Sequence, residues 1–241
     1  MEEPIDVSIV IPVKNEEDSI PVLFEEIYET MVKTNFNWEC VWIDDGSTDN
    51  SLSRCKELNK KHPNQHYIQF KENYGQSAAL SEGFRLAKGL VIATLDGDLQ
   101  NDPKDVPRLV ETLHNSEVQM VNGYRQFRSD NFIKKISSRI ANGFRNWQTH
   151  SNIKDVGCSM RVFYKEVISG IPVFRGMHRF LPTLVVINGY RSIEVPVNHR
   201  ERKYGKTKYG INNRLWVGIA DTFAVKWMQN RSVNPEIVEK L

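Results

Sequence analysis

Three times in the first ninety residues an apolar, β-branched run gives way to a segment of helical period, and a fourth apolar run follows. That alternation narrows the fold to one class. Val7 to Val13 is almost continuously apolar, as a strand covered on both faces must be, and Pro12 near its end suits a strand terminus. Asp18 to Met31 then places Ile20, Leu23, Phe24, Ile27 and Met31 at helical spacing behind an acidic start. Trp38 to Ile43 reads as a second strand, Asn50 to Lys60 as a helix and His66 to Phe70 as a third strand. Gln76 to Lys88 is a helix closed by Gly89, and Leu90 to Leu95 is the fourth strand. The expected fold class is α/β: a mostly parallel sheet with helices on both faces, binding its ligand beyond the carboxyl ends of the strands.

The polar residues that stand out fall at those ends. Lys14, Asn15 and Glu16 follow the first strand; Asp44-Asp45-Gly46-Ser47 follow the second; Asn73-Tyr74-Gly75-Gln76 follow the third; and Asp96-Gly97-Asp98 follow the fourth. Four loops therefore converge on one cleft. Asp96 and Asp98, with Gln100 behind them, make a hard oxygen site suited to Mg²⁺ or Mn²⁺ carrying a diphosphate. Gly97 is expected to let the backbone approach a ligand closely. Asp44 and Asp45 can accept hydrogen bonds from a ribose or a base edge, whereas Asp49 sits where it would cap the next helix.

Composition removes several alternatives. A chain of 241 residues with 40% hydrophobic and 26% charged residues buries an ordinary globular core. A net charge of +2 gives no reason to expect nucleic acid as a partner. Cys40, Cys55 and Cys158 lack any Cys-x-x-Cys pairing, which argues against a disulfide framework or a zinc site and fits a reducing cytosol. The acidic start, Met1-Glu2-Glu3-Pro4, has no signal-peptide pattern, and no window is apolar enough to span a bilayer. No Gly-x-Gly-x-x-Gly follows the first strand, so a dinucleotide fold is disfavoured; Gly205-Lys206-Thr207 mimics the end of a phosphate loop but has Arg200 where its first glycine belongs.

Taken together, Ile9-Val-Ile-Pro-Val-Lys-Asn-Glu16, Ile43-Asp-Asp-Gly-Ser47, Asn73-Tyr-Gly-Gln76 and Leu95-Asp-Gly-Asp-Leu-Gln100 resemble a family 2 glycosyltransferase of GT-A fold. Ser138-Arg139 with Asn142, Asp155-Val-Gly-Cys-Ser-Met-Arg161 and Arg202-Lys-Tyr-Gly-Lys-Thr-Lys208 resemble its polyprenyl-phosphate branch, which includes dolichol-phosphate mannose synthases and the more similar undecaprenyl-phosphate aminoarabinose transferases. The resemblance runs from about Val7 to Trp227. It implies that Pro12, Lys14 and Glu16, with Asp44, Asp45 and Asp96, hold a UDP- or GDP-linked sugar, and that Asp96, Asp98 and Gln100 face the metal. Asp98 and Arg125 join Arg139, Arg202 and Lys208 as the implied catalytic groups, the last three at the acceptor phosphate. Lys14 stands where many relatives carry an aromatic residue, and the C-terminal membrane helices of many members of the branch are missing.

The chemistry supports this assignment independently. The second pKa of a phosphate monoester lies near about 6, so a lipid phosphate is a dianion at neutral pH and attacks without a catalytic base. What the site must supply is charge stabilisation on the leaving diphosphate and cations that bring two anions together. An acceptor hydroxyl would instead need an acid side chain as base, and Asp155 is the candidate, unless Arg161 makes it structural.

Phe132, Ile133, Ile136, Ile140, Phe144 and Trp147 recur at helical spacing among Lys134, Lys135, Arg139 and Arg145, a basic amphipathic helix suited to a membrane surface. Ile211 to Trp227 forms a second such helix or a docking face for a separate integral membrane protein. The expected organisation is one GT-A domain over residues 1–230, donor-binding to about 125 and acceptor- and membrane-facing beyond it, with a polar tail over 231–241. The expected activity is inverting transfer of a sugar from a nucleotide diphosphate to undecaprenyl or dolichyl phosphate, by a protein held peripherally on the cytoplasmic face of the membrane. Transfer to a saccharide or glycolipid hydroxyl is the alternative, with a noncatalytic nucleotide-sugar-binding subunit behind it.

Overall fold

The structure, a computed structural model, describes residues 3–126, 142–149, 151–202 and 211–233, with backbone alone over 211–216. The alternation expected from the sequence is present with small shifts of boundary. β1 (Val7–Val13), α1 (Ser19–Met31), β2 (Trp38–Asp44), α2 (Ser51–Lys61), β3 (Gln65–Gln69), α3 (Gln76–Leu86) and β4 (Val91–Thr94) form the first half. They are followed by α4 (Asp105–His114), β5 (Met120–Arg125), α5 (142–149), β6 (Arg161–Tyr164), α6 (Met177–Ile187), β7 (Ser192–Val197) and α7 (Ile211–Arg231).

The seven strands form one sheet in the order β3-β2-β1-β4-β6-β5-β7. β6 runs against both of its neighbours, while the other pairings are parallel. Chain from both halves therefore shares one hydrogen-bonded layer. Pro12 pairs with Ile43 on β2, but the β1–β4 ladder ends at Val10 and Thr94. Its missing N–H thus falls beyond the stretch where β4 would need it.

Helices cover both faces. Ile11, Trp42 and Val162 pack with Leu23 and Phe24 of α1 and Leu109 of α4 on one side; Val10, Ile43 and Ile92 pack with Leu80 and Phe84 of α3 and Leu181 of α6 on the other. Trp42 and Phe24 are essentially buried, and truncating either to Ala would cost about 3–5 kcal/mol. A methyl group on Gly83 would run into Val10 and Ile43, so α3 lies unusually close to the sheet and fixes the loop before it.

α7 departs from a freely amphipathic helix. Val225 is buried against Met177, Phe180 and Leu184, which docks α7 onto α6. Phe223 and Trp227 point outward at 53% and 63% exposure, as does Trp147 of α5 at 70%. Phe144 contacts both Trp147 and Phe223 and so links those two across α5 and α7. The proposed basic helix beginning at Phe132 lies outside the described residues up to 141.

Candidate active site

Hydroxyl and backbone amide groups hold the acids at the first two strand exits. Asn15 adopts φ +50°, a left-handed geometry that asparagine tolerates, and crosslinks β1 to the next loop: its N–H donates to Ser47 Oγ at 2.9 Å and its Oδ1 accepts from Thr48 N at 2.8 Å. The backbone N–H of Glu16 donates to Ser51 Oγ at 2.8 Å, while its carboxylate accepts from Ser19 Oγ at 3.1 Å. Asp44 Oδ1 accepts from Ser47 N at 3.0 Å; Asp44 is wholly buried, and its Oδ2 has no donor among the described residues. Asp45 grips the next loop, accepting from Tyr74 N at 2.7 Å and Gly75 N at 2.9 Å. Burial pushes the Asp45 carboxyl up, against the pull of those amides and of Lys14. A Cβ on Gly46 would meet Glu72 C at 2.6 Å, so glycine is what allows the two loops to touch. Asp49 holds Ser51 N at 3.0 Å and Glu17 N at 3.3 Å, one residue ahead of the α2 cap position.

At the fourth exit the paired acids lie at the centre of the convergence. Asp96 is pushed up to about 6, first by burial and then by the charge of Asp98. Asp96 Oδ1 accepts from Gln76 Nε2 at 2.8 Å, its backbone N–H donates to Asn101 Oδ1 at 2.8 Å, and buried Arg161 partly offsets its charge. Leu99 is buried with φ +64°, a strained geometry for a leucine that bends the chain so that Gln100 N reaches Asp98 Oδ1 at 3.1 Å. Gly97 also serves the packing of the loop. A Cβ there would meet Val13 Cγ1 at 2.8 Å and Pro12 O at 3.3 Å, so its lack of a side chain seats the acidic loop on the end of β1.

The segment after β7 lies along this loop. Asn101 bridges His199, Arg200 N donates to Gln100 O at 2.9 Å, and Arg200 holds Glu26 of α1 through two bonds of 2.9 and 2.6 Å. Two residues on, Arg202 Nη2 reaches Asp98 Oδ2 at 2.5 Å. Arg202 and Asp98 are thus together, whereas Arg139 and Lys208 lie outside the described residues. Arg125 is engaged by Asp155 through Nε–Oδ2 of 2.7 Å and Nη2–Oδ1 of 2.8 Å, with both side chains largely buried. Asp155 also accepts from the amides of Arg125 and Gly157, each at 3.2 Å. The expected neighbour Arg161 donates to Val156 O and stands within electrostatic reach of both Asp155 and Asp96.

Several members of the site carry no local sequence signal. Arg161, Ser159 and Asn101 reach Asp96 or one another through sheet pairing, and Arg200 is an ordinary charge until the sheet places it beside Glu26. Gln76, by contrast, sits in a motif already singled out.

The model of "Glycosyl transferase family 2" matches residues 8–171. A dodecaprenyl-phosphate galacturonate synthase from Rhizobium johnstonii is 35% identical over 97% of this chain and 70% of its own length. The chain belongs to glycosyl transferase family 2. An undecaprenyl-phosphate 4-deoxy-4-formamido-L-arabinose transferase from Pectobacterium atrosepticum is 37% identical, and this member of the family covers 62% of that relative's length with 84% of its own. Among solved structures, glucosyl-3-phosphoglycerate synthase from Mycobacterium tuberculosis superposes with TM-score 0.67 at 17% identity, over 96% of this chain and 81% of that one. A mannosyltransferase from Pyrobaculum calidifontis, solved with GDP-mannose and Mn²⁺, gives 0.63 at 19% identity, over 98% and 67%. The fold is GT-A.

Proposed function

We propose that this family 2 glycosyltransferase moves a sugar from a nucleotide diphosphate to a polyprenyl phosphate. One observation carries the reading: the segment after β7 is seated on the acidic loop so that Arg202 meets Asp98. An acid suited to the donor's metal and a cation suited to an acceptor phosphate therefore share one point.

The residues fit a divalent cation. Asp96 and Asp98 are hard oxygen donors, their mutual repulsion favours a positive charge between them, and Arg202 already supplies one. Asp96 and Asp98, with Gln100 beside them, would hold Mg²⁺ or Mn²⁺, which stabilises the charge that develops on the departing nucleoside diphosphate. Pro12, Lys14, Glu16, Asp44 and Asp45 frame the nucleoside. Arg202, with Arg139 and Lys208, orients the lipid phosphate. In the step itself a phosphate oxygen forms a bond to the anomeric carbon as the bond to the diphosphate breaks, and the leaving nucleoside diphosphate takes the electron pair. A single displacement inverts the anomeric centre, and the dianionic acceptor needs no base.

Asp155 supports this reading over transfer to a hydroxyl, because its carboxylate is occupied by Arg125 and two amides. Arg125 accordingly acts through the placement of the Asp155 loop. We assign residues up to about 125 to the donor and the later ones, to 230, to the acceptor and the membrane. The exposed Trp147, Phe223 and Trp227 favour peripheral seating on the cytoplasmic membrane face, directly or beside an integral partner. Among the described residues no helix is long and apolar enough to cross a membrane. The relatives' named sugars differ in more than one respect: galacturonate is a hexuronate with a carboxylate, whereas 4-deoxy-4-formamido-arabinose is a pentose with a formamido group and no carboxylate. Incubation with polyprenyl phosphate, Mn²⁺ and labelled nucleotide sugars tests the activity. Label in the lipid fraction is expected; label confined to saccharide or protein would reject it.

A further inference from the structure

The two acids at the β4 exit are held by different kinds of group. Asp98 meets a cation, the guanidinium of Arg202. Asp96 is held by a neutral donor: its Oδ1 accepts from Gln76 Nε2 at 2.8 Å, and the nearby Ser159 hydroxyl also favours its charged form. Arg161 and Arg125 act on Asp96 through charge, and more weakly than Asp98 does.

Gln76 is the first residue of α3, and its neighbours on both sides are fixed by other elements. Ahead of it, Asp45 at the β2 exit accepts from Tyr74 N at 2.7 Å and Gly75 N at 2.9 Å. Behind it, the buried Ser77 Oγ accepts from Gly176 N at 3.0 Å and lies 2.9 Å from His178 Nδ1, both at the start of α6. The backbone that carries Gln76 is therefore pinned from the β2 exit and from α6 at once. Its amide is delivered to one oxygen of Asp96.

An acid that is to bind a cation must stay ionised and correctly turned, yet remain attractive to positive charge. A hydrogen bond donated to the carboxylate favours its charged form and fixes its orientation, and a neutral amide does so without a charge that would compete with the metal. We infer that Gln76 is a positioning residue, which holds Asp96 in the orientation that a divalent cation requires, while Ser77 and His178 hold Gln76 in place. This rests on the reading of Asp96 and Asp98 as the metal acids.

Calorimetry on the full chain, with UDP or GDP present and no acceptor, measures Mn²⁺ binding directly. Gln76→Met keeps the length of the side chain and removes the donor, and is expected to raise the Kd for Mn²⁺ by about 10-fold or more at an unchanged melting temperature. Gln76→Lys keeps a donor but adds a charge, and is expected to raise it further. Ser77→Ala, which frees the loop from Gly176 and His178, should act in the same direction by a smaller factor, and it decides the matter should Gln76→Met fail to fold. In transfer assays the Mn²⁺ concentration for half-maximal rate should rise in step, with the KM for polyprenyl phosphate unchanged. Wild-type affinity for Mn²⁺ in Gln76→Met or Gln76→Lys, or a rise in the KM for polyprenyl phosphate alone, would overturn the inference and leave the transferase reading standing. A wild-type protein that binds no Mn²⁺ would take the metal reading and the inference down together, whereas Mn²⁺ binding without label in the lipid would reject the acceptor alone.

Discussion

At the exits of β1 and β2 the acids are held by amide and hydroxyl groups nearby, whereas several arginines of the later chain are held by a carboxylate from another element. Asp45 takes two amides of the β3–α3 loop, and Glu16 takes the Ser19 hydroxyl. Arg125 takes Asp155, Arg179 takes Asp221, Arg200 takes Glu26 and Arg202 takes Asp98. The difference teaches how two anionic substrates can share one cleft. Acids fixed by the fold form a ready seat for the donor, while arginines paired with acids can exchange a protein carboxylate for a phosphate when the acceptor arrives.

Asp98 belongs to both arrangements, so its loss should do the most damage. Asp98→Asn is expected to lower kcat/KM by about 10³-fold, as removal of a group that stabilises developing charge does. Calorimetry should show weaker Mn²⁺ binding with little change in melting temperature. Retained activity would separate the two halves of the comparison entirely. Asp155→Asn should act on stability first. Breaking the largely buried pair with Arg125 is expected to cost about 3–5 kcal/mol, read from urea unfolding. A stable but inactive variant would instead restore Asp155 as a base.

The donor side was also the more legible in sequence, for a physical reason. β1, β2 and β4 are buried on both faces of the sheet and pair in parallel with one another, so they appear as mostly apolar runs, and the ligand loops follow them. β5, β6 and β7 contain Asn122, Arg161, Glu194 and Pro196, pair partly antiparallel, and draw their partners from distant chain. Nothing local announces them. Asp96 and Asp98 were readable from spacing alone, but the ring around them was not: Arg161, Asn101 and Ser159 arrive through tertiary pairing. Asp155 shows the limit well. Sequence proximity pointed to Arg161, which stays within electrostatic reach, while the fold adds direct bonds from Arg125, 30 residues earlier in the chain.

Smaller effects sharpen the comparison. Replacing Trp147, Phe223 and Trp227 together by Ser should weaken sedimentation with vesicles containing anionic lipid, while each exposed site changes stability by only about 0.5 kcal/mol or less. Unchanged vesicle binding would move the membrane contact elsewhere. Burial pushes the Cys158 thiol up to about 11 and Cys55 to about 12, so both stay protonated in the folded chain at neutral pH. The unfolded thiols ionise near about 8.5, so stability present below that pH should decline as pH climbs from there toward the folded values. Denaturant titrations from pH 7 to 10 check this, and a flat profile would refute it.

Anomalous diffraction from crystals soaked with Mn²⁺ and either UDP or GDP tests the shared cleft most directly. The account predicts a manganese peak coordinated by Asp98 beside Asp96, with Arg202 displaced from Asp98 toward the acceptor side. A peak remote from these acids, or a coordinated ion with Arg202 carried away from the cleft, would contradict it.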